Sequence, residues 1–274
     1  MDKIRRNERM SVMLKTLSDA PNKLFTLSYF CELFGAAKST MSEDIDLLRE
    51  VVRQFSLGEI ETLTGAAGGV YYRPNVPTQS AWDYISELSG KLSGSERLLA
   101  GGFLYYSDVL SSPEDTRRMG EIIASAYFDA APDFVLTMET KGIPVALMTA
   151  QAMGIPLVIA RRSSKAYEGP AVNINYVSGS SGAIQTMSLA RRAVRPGQRA
   201  LIVDDFLKGG GTARGMMDLM REFGVEVVGN AFVMATADPP GKRVIGEKSL
   251  MTLRVTEGED GPVAQVRPSD WLQA

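Results

Sequence analysis

The feature that most constrains this chain is the run Ala200-Leu201-Ile202-Val203-Asp204-Asp205-Phe206-Leu207-Lys208-Gly209-Gly210-Gly211-Thr212. It reads as a buried strand, two carboxylates at its carboxyl end, a glycine loop, and the start of a helix. Open α/β sheets bind their ligands at that edge. Successive N–H groups of the Gly209 to Thr212 loop, with the dipole of the following helix, make a site for one phosphate. Glycine lets the backbone approach such a ligand closely. Two better-known phosphate loops fit poorly. In a P-loop the lysine follows the glycines, whereas Lys208 precedes them. A dinucleotide fingerprint needs G-x-G-x-x-G, but Gly209, Gly211 and Gly215 are spaced G-x-G-x-x-x-G. Asp204 and Asp205 would also repel a dinucleotide's diphosphate. They suit a ribose 2,3-diol, with magnesium arriving through the ligand. A sugar with one terminal phosphate is the better fit; the plain alternative is a structural strand-turn-helix with solvated acids.

Composition removes competing chemistries. The chain has no histidine, so zinc hydrolases and Ser-His or Cys-His nucleophilic chemistry are excluded. Its one cysteine, Cys31, cannot form an internal disulfide, suits a reducing cytoplasm and sits in an apolar helical pattern as core. No apolar run approaches the ~18 residues of a membrane span, and the charged N-terminus lacks the apolar stretch of a signal peptide. A cytoplasmic protein with no membrane partner is expected. A net charge of −2 means that any nucleic-acid contact must come from a local patch.

The first 73 residues carry three helical stretches and a hairpin. Met10, Met13, Leu14 and Leu17 form one helical stripe. A short helix over Leu27 to Phe34 places Leu27, Phe30, Leu33 and Phe34 inward, and Gly35-Ala36-Ala37 gives a tight turn. A third helix opens at Ser39-Thr40, with Thr40 and Glu43 at capping-box spacing and Met41, Ile45, Leu48, Val52 and Phe55 as its stripe. Helix, turn and helix at this spacing is the helix-turn-helix layout. Ile60 to Thr64 and Val70 to Arg73, around the five-residue tip Gly65-Ala66-Ala67-Gly68-Gly69, read as a β-hairpin, and so as a wing.

Pro74 and Pro77 mark a boundary. The expected organisation is a winged-helix DNA-binding domain over residues 1–74 and an effector domain over 75–274. Residues 75–95 of the latter form a linker helix carrying Trp82, Ile85 and Leu88. Beyond residue 95, apolar strands at 134–138, 155–160, 200–203 and 225–234 alternate with helices at 143–153 and 213–223. That alternation indicates a parallel sheet flanked by helices, giving an α/β two-domain fold.

The Ala200 to Thr212 element closely resembles the phosphoribosyl pyrophosphate (PRPP) motif of type I phosphoribosyltransferases. Met138-Glu139-Thr140-Lys141-Gly142-Ile143-Pro144 resembles the pyrophosphate loop of that fold. Arg161-Arg162 follows the next strand, where family members carry a basic residue; for the arginines alone a solvated strand end reads equally well. Asn175-Tyr176-Val177-Ser178-Gly179-Ser180-Ser181-Gly182 resembles the loop that closes over PRPP. Over nearly its whole length the chain is similar to the purine operon repressors of Gram-positive bacteria. This rests on those segments, Ala36-Ala37-Lys38-Ser39 with Ser42-Glu43-Asp44, the wing glycines, and Gln185-Thr186-Met187-Ser188-Leu189-Ala190.

The resemblance implies a homodimer that binds double-stranded DNA at purine gene control regions and is weakened there by PRPP, with Mg2+. The implied PRPP ligands are Asp204, Asp205, Phe206, Lys208, Gly209, Gly210, Gly211, Thr212, Thr140, Lys141, Gly142, Arg162 and Tyr176. Enzymes of the fold usually carry threonine where Gly209 stands. With no nucleobase pocket evident, the implied role is a sensor without catalytic activity. Guanosine polyphosphates are a further expected occupant. For DNA, the third helix should place Lys38, Ser39, Thr40 and Ser42 nearest the bases in the major groove. Arg5, Arg6, Arg9, Tyr71, Tyr72 and Arg73 should meet phosphates or the minor groove. Glu43 and Asp44 either read cytosine amino groups or cap the helix. An active purine-salvage phosphoribosyltransferase and an RNA-binding attenuator on the same fold are the rival readings, and the winged helix counts against the attenuator.

Overall fold

The structure, a computed structural model, describes residues 4–65, 68–164, 169–178, 182–238, 241–244, 246–258 and 261–273. The chain forms two compact units. One runs to Pro77 and takes in Gln151–Gly154; the other comprises Thr78–Ala150 and the residues from Ile155 onward.

In the first unit α1 (Arg6–Ser18), α2 (Leu27–Phe34) and α3 (Lys38–Gln54) precede an antiparallel hairpin of β1 (Glu59–Leu63) and β2 (Gly69–Arg73). The Thr26 hydroxyl accepts the Tyr29 N–H at 3.2 Å to start α2, and Gly35 ends it at φ 59°. This left-handed residue turns the chain into α3. Met13 and Leu17, Phe30 and Phe34, and Met41, Ile45, Leu48 and Val52 close on Ile60 and Val70 of the hairpin to form one core. Phe25 and Val70 exchange backbone hydrogen bonds of 2.9 and 2.8 Å, laying the residues before α2 alongside β2. A Cβ on Gly69 would stand 2.3 Å from the Phe25 carbonyl oxygen, so this close approach requires glycine.

Three expectations for this unit are corrected. Helix α3 starts at Lys38 with Ala37 as its cap, so Thr40 and Glu43 lie inside the helix and form no capping box. Leu33 is exposed, because Phe30 and Phe34, one turn apart, fill the buried face of α2. Phe55 has left the helical conformation at the end of α3 and is also exposed. Ala66 and Ala67 of the expected wing tip lie outside the described residues.

The second unit opens with α4 (Thr78–Leu92), a two-residue hairpin of β3 (Leu98–Leu99) and β4 (Phe103–Leu104), α5 (Ser107–Ser111) and α6 (Pro113–Ser125). β5 (Phe134–Met138), α7 (Ile143–Met153), β6 (Leu157–Ala160), β7 (Ala171–Val177) and β8 (Ile184–Ala190) follow. The chain ends with β9 (Arg199–Leu207), α8 (Gly211–Glu222), β10 (Glu226–Thr236), β11 (Lys248–Gly258) and β12 (Gly261–Pro268). One sheet runs in the order β12-β11-β10-β9-β5-β6, parallel throughout except for the edge hairpin β11–β12. β5 is buried along its whole length, as a strand covered on both faces must be. The expected linker helix, α4, packs on β12 through Ile85, Leu88 and Leu92 and is part of this unit. β7 and β8 form a separate antiparallel hairpin against α8. No helix among the described residues is long and apolar enough to cross a membrane.

Candidate functional site

Strand register assembles one site at the carboxyl edge of the sheet. Leu136 pairs with Ile202 across β5 and β9, and Met138 pairs with Ala160 across β5 and β6. The loop leaving β5, Arg161-Arg162 leaving β6, and Asp204-Asp205 near the end of β9 therefore emerge together. β9 runs on to Leu207, so the two acids lie within the strand, and the Asp205 N–H donates to Asp204 Oδ1 at 3.0 Å. Asp204 lies beneath the β5 loop. A Cβ on Gly142 would stand 2.1 Å from Asp204 Oδ1 and 2.7 Å from Thr137 Oγ1, so only glycine lets the loop rest on the acid. Among the described residues the buried Thr137 Oγ1 has no hydrogen-bond partner, leaving a donor beside the acid pair. Burial first, then the neighbouring Asp205 charge, pushes the Asp204 carboxyl well above the ordinary carboxylate range. Adjacent acids of this kind gain from hydroxyl donors such as a diol. Among the described residues no group of three His, Cys, Asp or Glu side chains could hold a metal ion.

Two loops flank the acids with backbone donors. Gly210, at φ 77°, caps α8, and the first bond of the helix runs from the Arg214 N–H to the Gly210 carbonyl at 2.9 Å. Gly211, Thr212 and Ala213 thus carry first-turn amides of the kind helices leave for anions. Lys208 is exposed beside them. In the β5 loop the Glu139 carboxylate accepts the Arg162 N–H at 2.8 Å and pairs with Arg161 at 3.5 Å. Thr140, Lys141 and the Arg162 side chain are exposed at the same edge.

Tyr106 was not expected here. It donates a 2.6 Å hydrogen bond to Asp205 Oδ2, and its ring lies 5.3 Å from Lys141 Nζ and 6.1 Å from the Phe206 ring. Burial, then the Asp205 charge and the hydrogen bond to it, holds its phenol far above the usual range. It stands outside every loop motif in the sequence, which gives no signal for it. Tyr176 is a correction in the other direction. It is buried in the core against Gly215 of α8, with its hydroxyl on Gln185 Oε1 at 2.8 Å, and so leaves the ligand set. Gly179, Ser180 and Ser181 of the expected closing loop lie outside the described residues.

In the first unit Lys38, Ser39 and Ser42 are exposed at the start of α3, Thr40 is half-buried, and Arg5 is exposed before α1. Arg9 is a correction. It is 7% exposed, and its guanidinium donates to Asp44 Oδ2 at 2.7 Å and to the Ile4 carbonyl at 2.8 Å. It ties α1 to α3 and presents nothing outward. Arg6 stays half-exposed, 3.0 Å from Glu43 and 2.9 Å from Asp44 Oδ1, the latter a charge contact without an aligned hydrogen bond. Asp44 is accordingly a buried counter-ion, neither a base reader nor a cap. The wing residues are also engaged. Tyr71 donates to Glu61 at 2.6 Å, Arg73 pairs with Glu61 at 2.9 Å, and Tyr72 donates to the Leu57 carbonyl at 2.6 Å. They occupy the half of β2 that leads away from the tip, since Leu63 faces Gly69 and Glu59 faces Arg73. Arg49, which the sequence did not single out, clamps α3 to the wing through the Ile60 carbonyl and Thr62.

Comparison with known proteins places both units. Residues 5–74 match the bacterial purine repressor N-terminal family, and residues 106–261 match the phosphoribosyl transferase domain family. A probable purine biosynthesis transcriptional regulator of Streptococcus pneumoniae is 43% identical over 91% of this chain and 91% of its own length. A purine biosynthesis transcriptional repressor of Bacillus subtilis is 40% identical over 92% of this chain and 88% of its own. A purine biosynthesis transcriptional activator of Lactococcus lactis is 37% identical over 90% and 92%. The crystal structure of an adenine phosphoribosyltransferase from Rhodothermus marinus superposes on 62% of this chain and 97% of its own, with TM-score 0.52 at 23% identity, a likeness of fold. A winged helix-turn-helix joined to a phosphoribosyltransferase sheet, with such regulators aligned over 91–92% of its length, makes this chain a member of the bacterial purine repressor family.

Proposed function

We propose that the protein represses purine biosynthesis and related genes by binding their control regions, and that PRPP bound at the carboxyl edge of the second unit weakens that binding. The observation that carries the effector half is the juxtaposition at one sheet edge of Asp204 and Asp205 with two amide-rich loops. The acid pair suits the ribose 2,3-diol, the start of α8 at Gly211 and Thr212 suits the 5-phosphate, and the loop with Thr140 and Lys141 suits the diphosphate. Arg162 and Lys208 add positive charge around it. Magnesium would enter on the diphosphate, since the described residues supply no cluster for an ion of their own. The exposed start of α3, with Lys38, Ser39 and Ser42, suits the major groove, and Arg5 suits a phosphate. Guanosine polyphosphates, which carry a ribose and diphosphates, would compete for the same edge. The domain acts as a sensor without transferring the phosphoribosyl group, consistent with Gly209 in place of a hydroxyl residue at the phosphate loop. The protein works in the cytoplasm as a homodimer.

The test is fluorescence anisotropy of a labelled purine control region titrated with the full chain, with and without magnesium-PRPP. Salt-sensitive binding that PRPP weakens is expected, and Asp204→Ala with Asp205→Ala should abolish the PRPP response while DNA binding persists. Binding indifferent to PRPP would remove the effector assignment. Release of pyrophosphate from PRPP in the presence of a purine base would replace the sensor by an enzyme.

A further inference from the structure

Tyr106 stands immediately before α5, and its phenol reaches the acid pair at Asp205. Its hydroxyl donates to Asp205 Oδ2 at 2.6 Å, and only 6% of the residue is exposed. A hydrogen bond to a carboxylate in such surroundings is short, strong and little weakened by water. Asp205 follows a buried acid in the chain, and the Tyr106 hydroxyl gives its carboxylate a fixed donor. The phenol uses one of about four acceptor positions on that carboxylate, so others stay open to a second donor.

We infer that Tyr106 is a positioning residue of the effector site, holding the Asp205 carboxylate in the orientation that accepts a ribose diol. The inference rests on reading this edge as a PRPP site. An acceptor fixed beforehand needs no reorientation when the sugar arrives, and the pre-organisation appears as affinity. The Tyr106 ring has a separate duty, since Lys141 and Phe206 pack against it. Tyr106→Phe therefore deletes the hydroxyl and leaves the ring beneath Lys141.

The experiment is calorimetric titration of the full chain and the Y106F variant with magnesium-PRPP, ribose 5-phosphate, 2-deoxyribose 5-phosphate and pyrophosphate, after the thermal midpoints of the two proteins are compared. PRPP and ribose 5-phosphate should each weaken by about tenfold, the scale of a hydrogen bond to a charged group. Pyrophosphate should be unchanged. The penalty for removing the 2-hydroxyl of the sugar should shrink in Y106F. Asp205→Asn should impose a comparable loss, and adding Y106F to it should cause little more, because the two groups act as one. Ribose ligands bound by Y106F as well as or better than by wild type would overturn the inference, as would a parallel loss of pyrophosphate. Wild-type protein that binds pyrophosphate and no ribose ligand would overturn the PRPP reading and the inference with it.

Discussion

Two buried acids, Asp44 and Asp204, are stabilised in opposite ways, and each leads to a prediction. Asp44 is fully buried and holds Arg9 in an inward ion pair. Removing Arg9 leaves Asp44 with the half-exposed Arg6 beside it, so the cost is up to about 3–5 kcal/mol, the scale for breaking a buried pair. Arg9→Met should therefore lower the unfolding temperature of the first unit and abolish DNA binding as a consequence. Arg5→Ala should leave stability alone and flatten the salt dependence of DNA binding, by about 0.9 in log–log slope for one phosphate contact. A thermal melt and a salt titration of each variant separate the two roles, and an Arg9→Met protein of wild-type stability would contradict the ion-pair assignment. Among the described residues no cation pairs with Asp204, and burial first, then the Asp205 charge, raises its folded-state pKa. A raised pKa contributes stability that is present below the unfolded value, near 3.8, and lost as pH rises through the folded value. Asp204→Asn removes that loss. The ligand-free variant should melt a few degrees above wild type at pH 8, with the gap closing as pH falls toward 4. A gap that does not depend on pH would show that Asp204 stays ionised.

At the scale of elements, Gly142 sets how closely the β5 loop approaches β9. The Cβ of Gly142→Ala would overlap Asp204 Oδ1, so the loop must lift or the acid must turn. The variant should lose most of its response to PRPP while binding control-region DNA as wild type does, in an anisotropy titration of both. Sequence made these elements legible where one period dominates. Phe134–Met138 and Ile143–Met153 are largely apolar runs of strand and helix length, and α2 is closed by Gly35. The hairpins β7–β8 and β11–β12 were not legible, because each exposes one face and mixes polar with apolar residues. The acid pair and the glycine loop could be read because their residues are contiguous. Tyr106 lies 99 positions from Asp205, and nothing local to Leu104-Tyr105-Tyr106 announces that its phenol ends on a carboxylate. Arg9 was not legible for the same reason. A charge near a terminus or a wing looks solvated until the fold shows the acid that holds it.

At the scale of the molecule, the two units must communicate for a sugar phosphate to alter DNA affinity, and thermodynamics limits how. If PRPP lowers operator affinity by some factor, DNA must lower PRPP affinity by the same factor, whatever motion carries the effect. A tenfold change requires only about 1.4 kcal/mol of difference between the two states, less than one well-placed hydrogen bond to a charged group. The reciprocal measurement is therefore a stringent check on the proposed mechanism. Titrating PRPP into the free protein and into the protein saturated with a purine control region should give dissociation constants in the ratio seen when DNA is titrated with and without PRPP. A non-specific duplex should give a smaller ratio, because contacts to phosphates alone carry no sequence information. Equal PRPP affinity in the free and operator-bound protein, alongside PRPP-dependent release in the anisotropy assay, would break the cycle. Release would then come from competition for magnesium or for added charge in solution, and the Asp204–Asp205 edge would have no part in it.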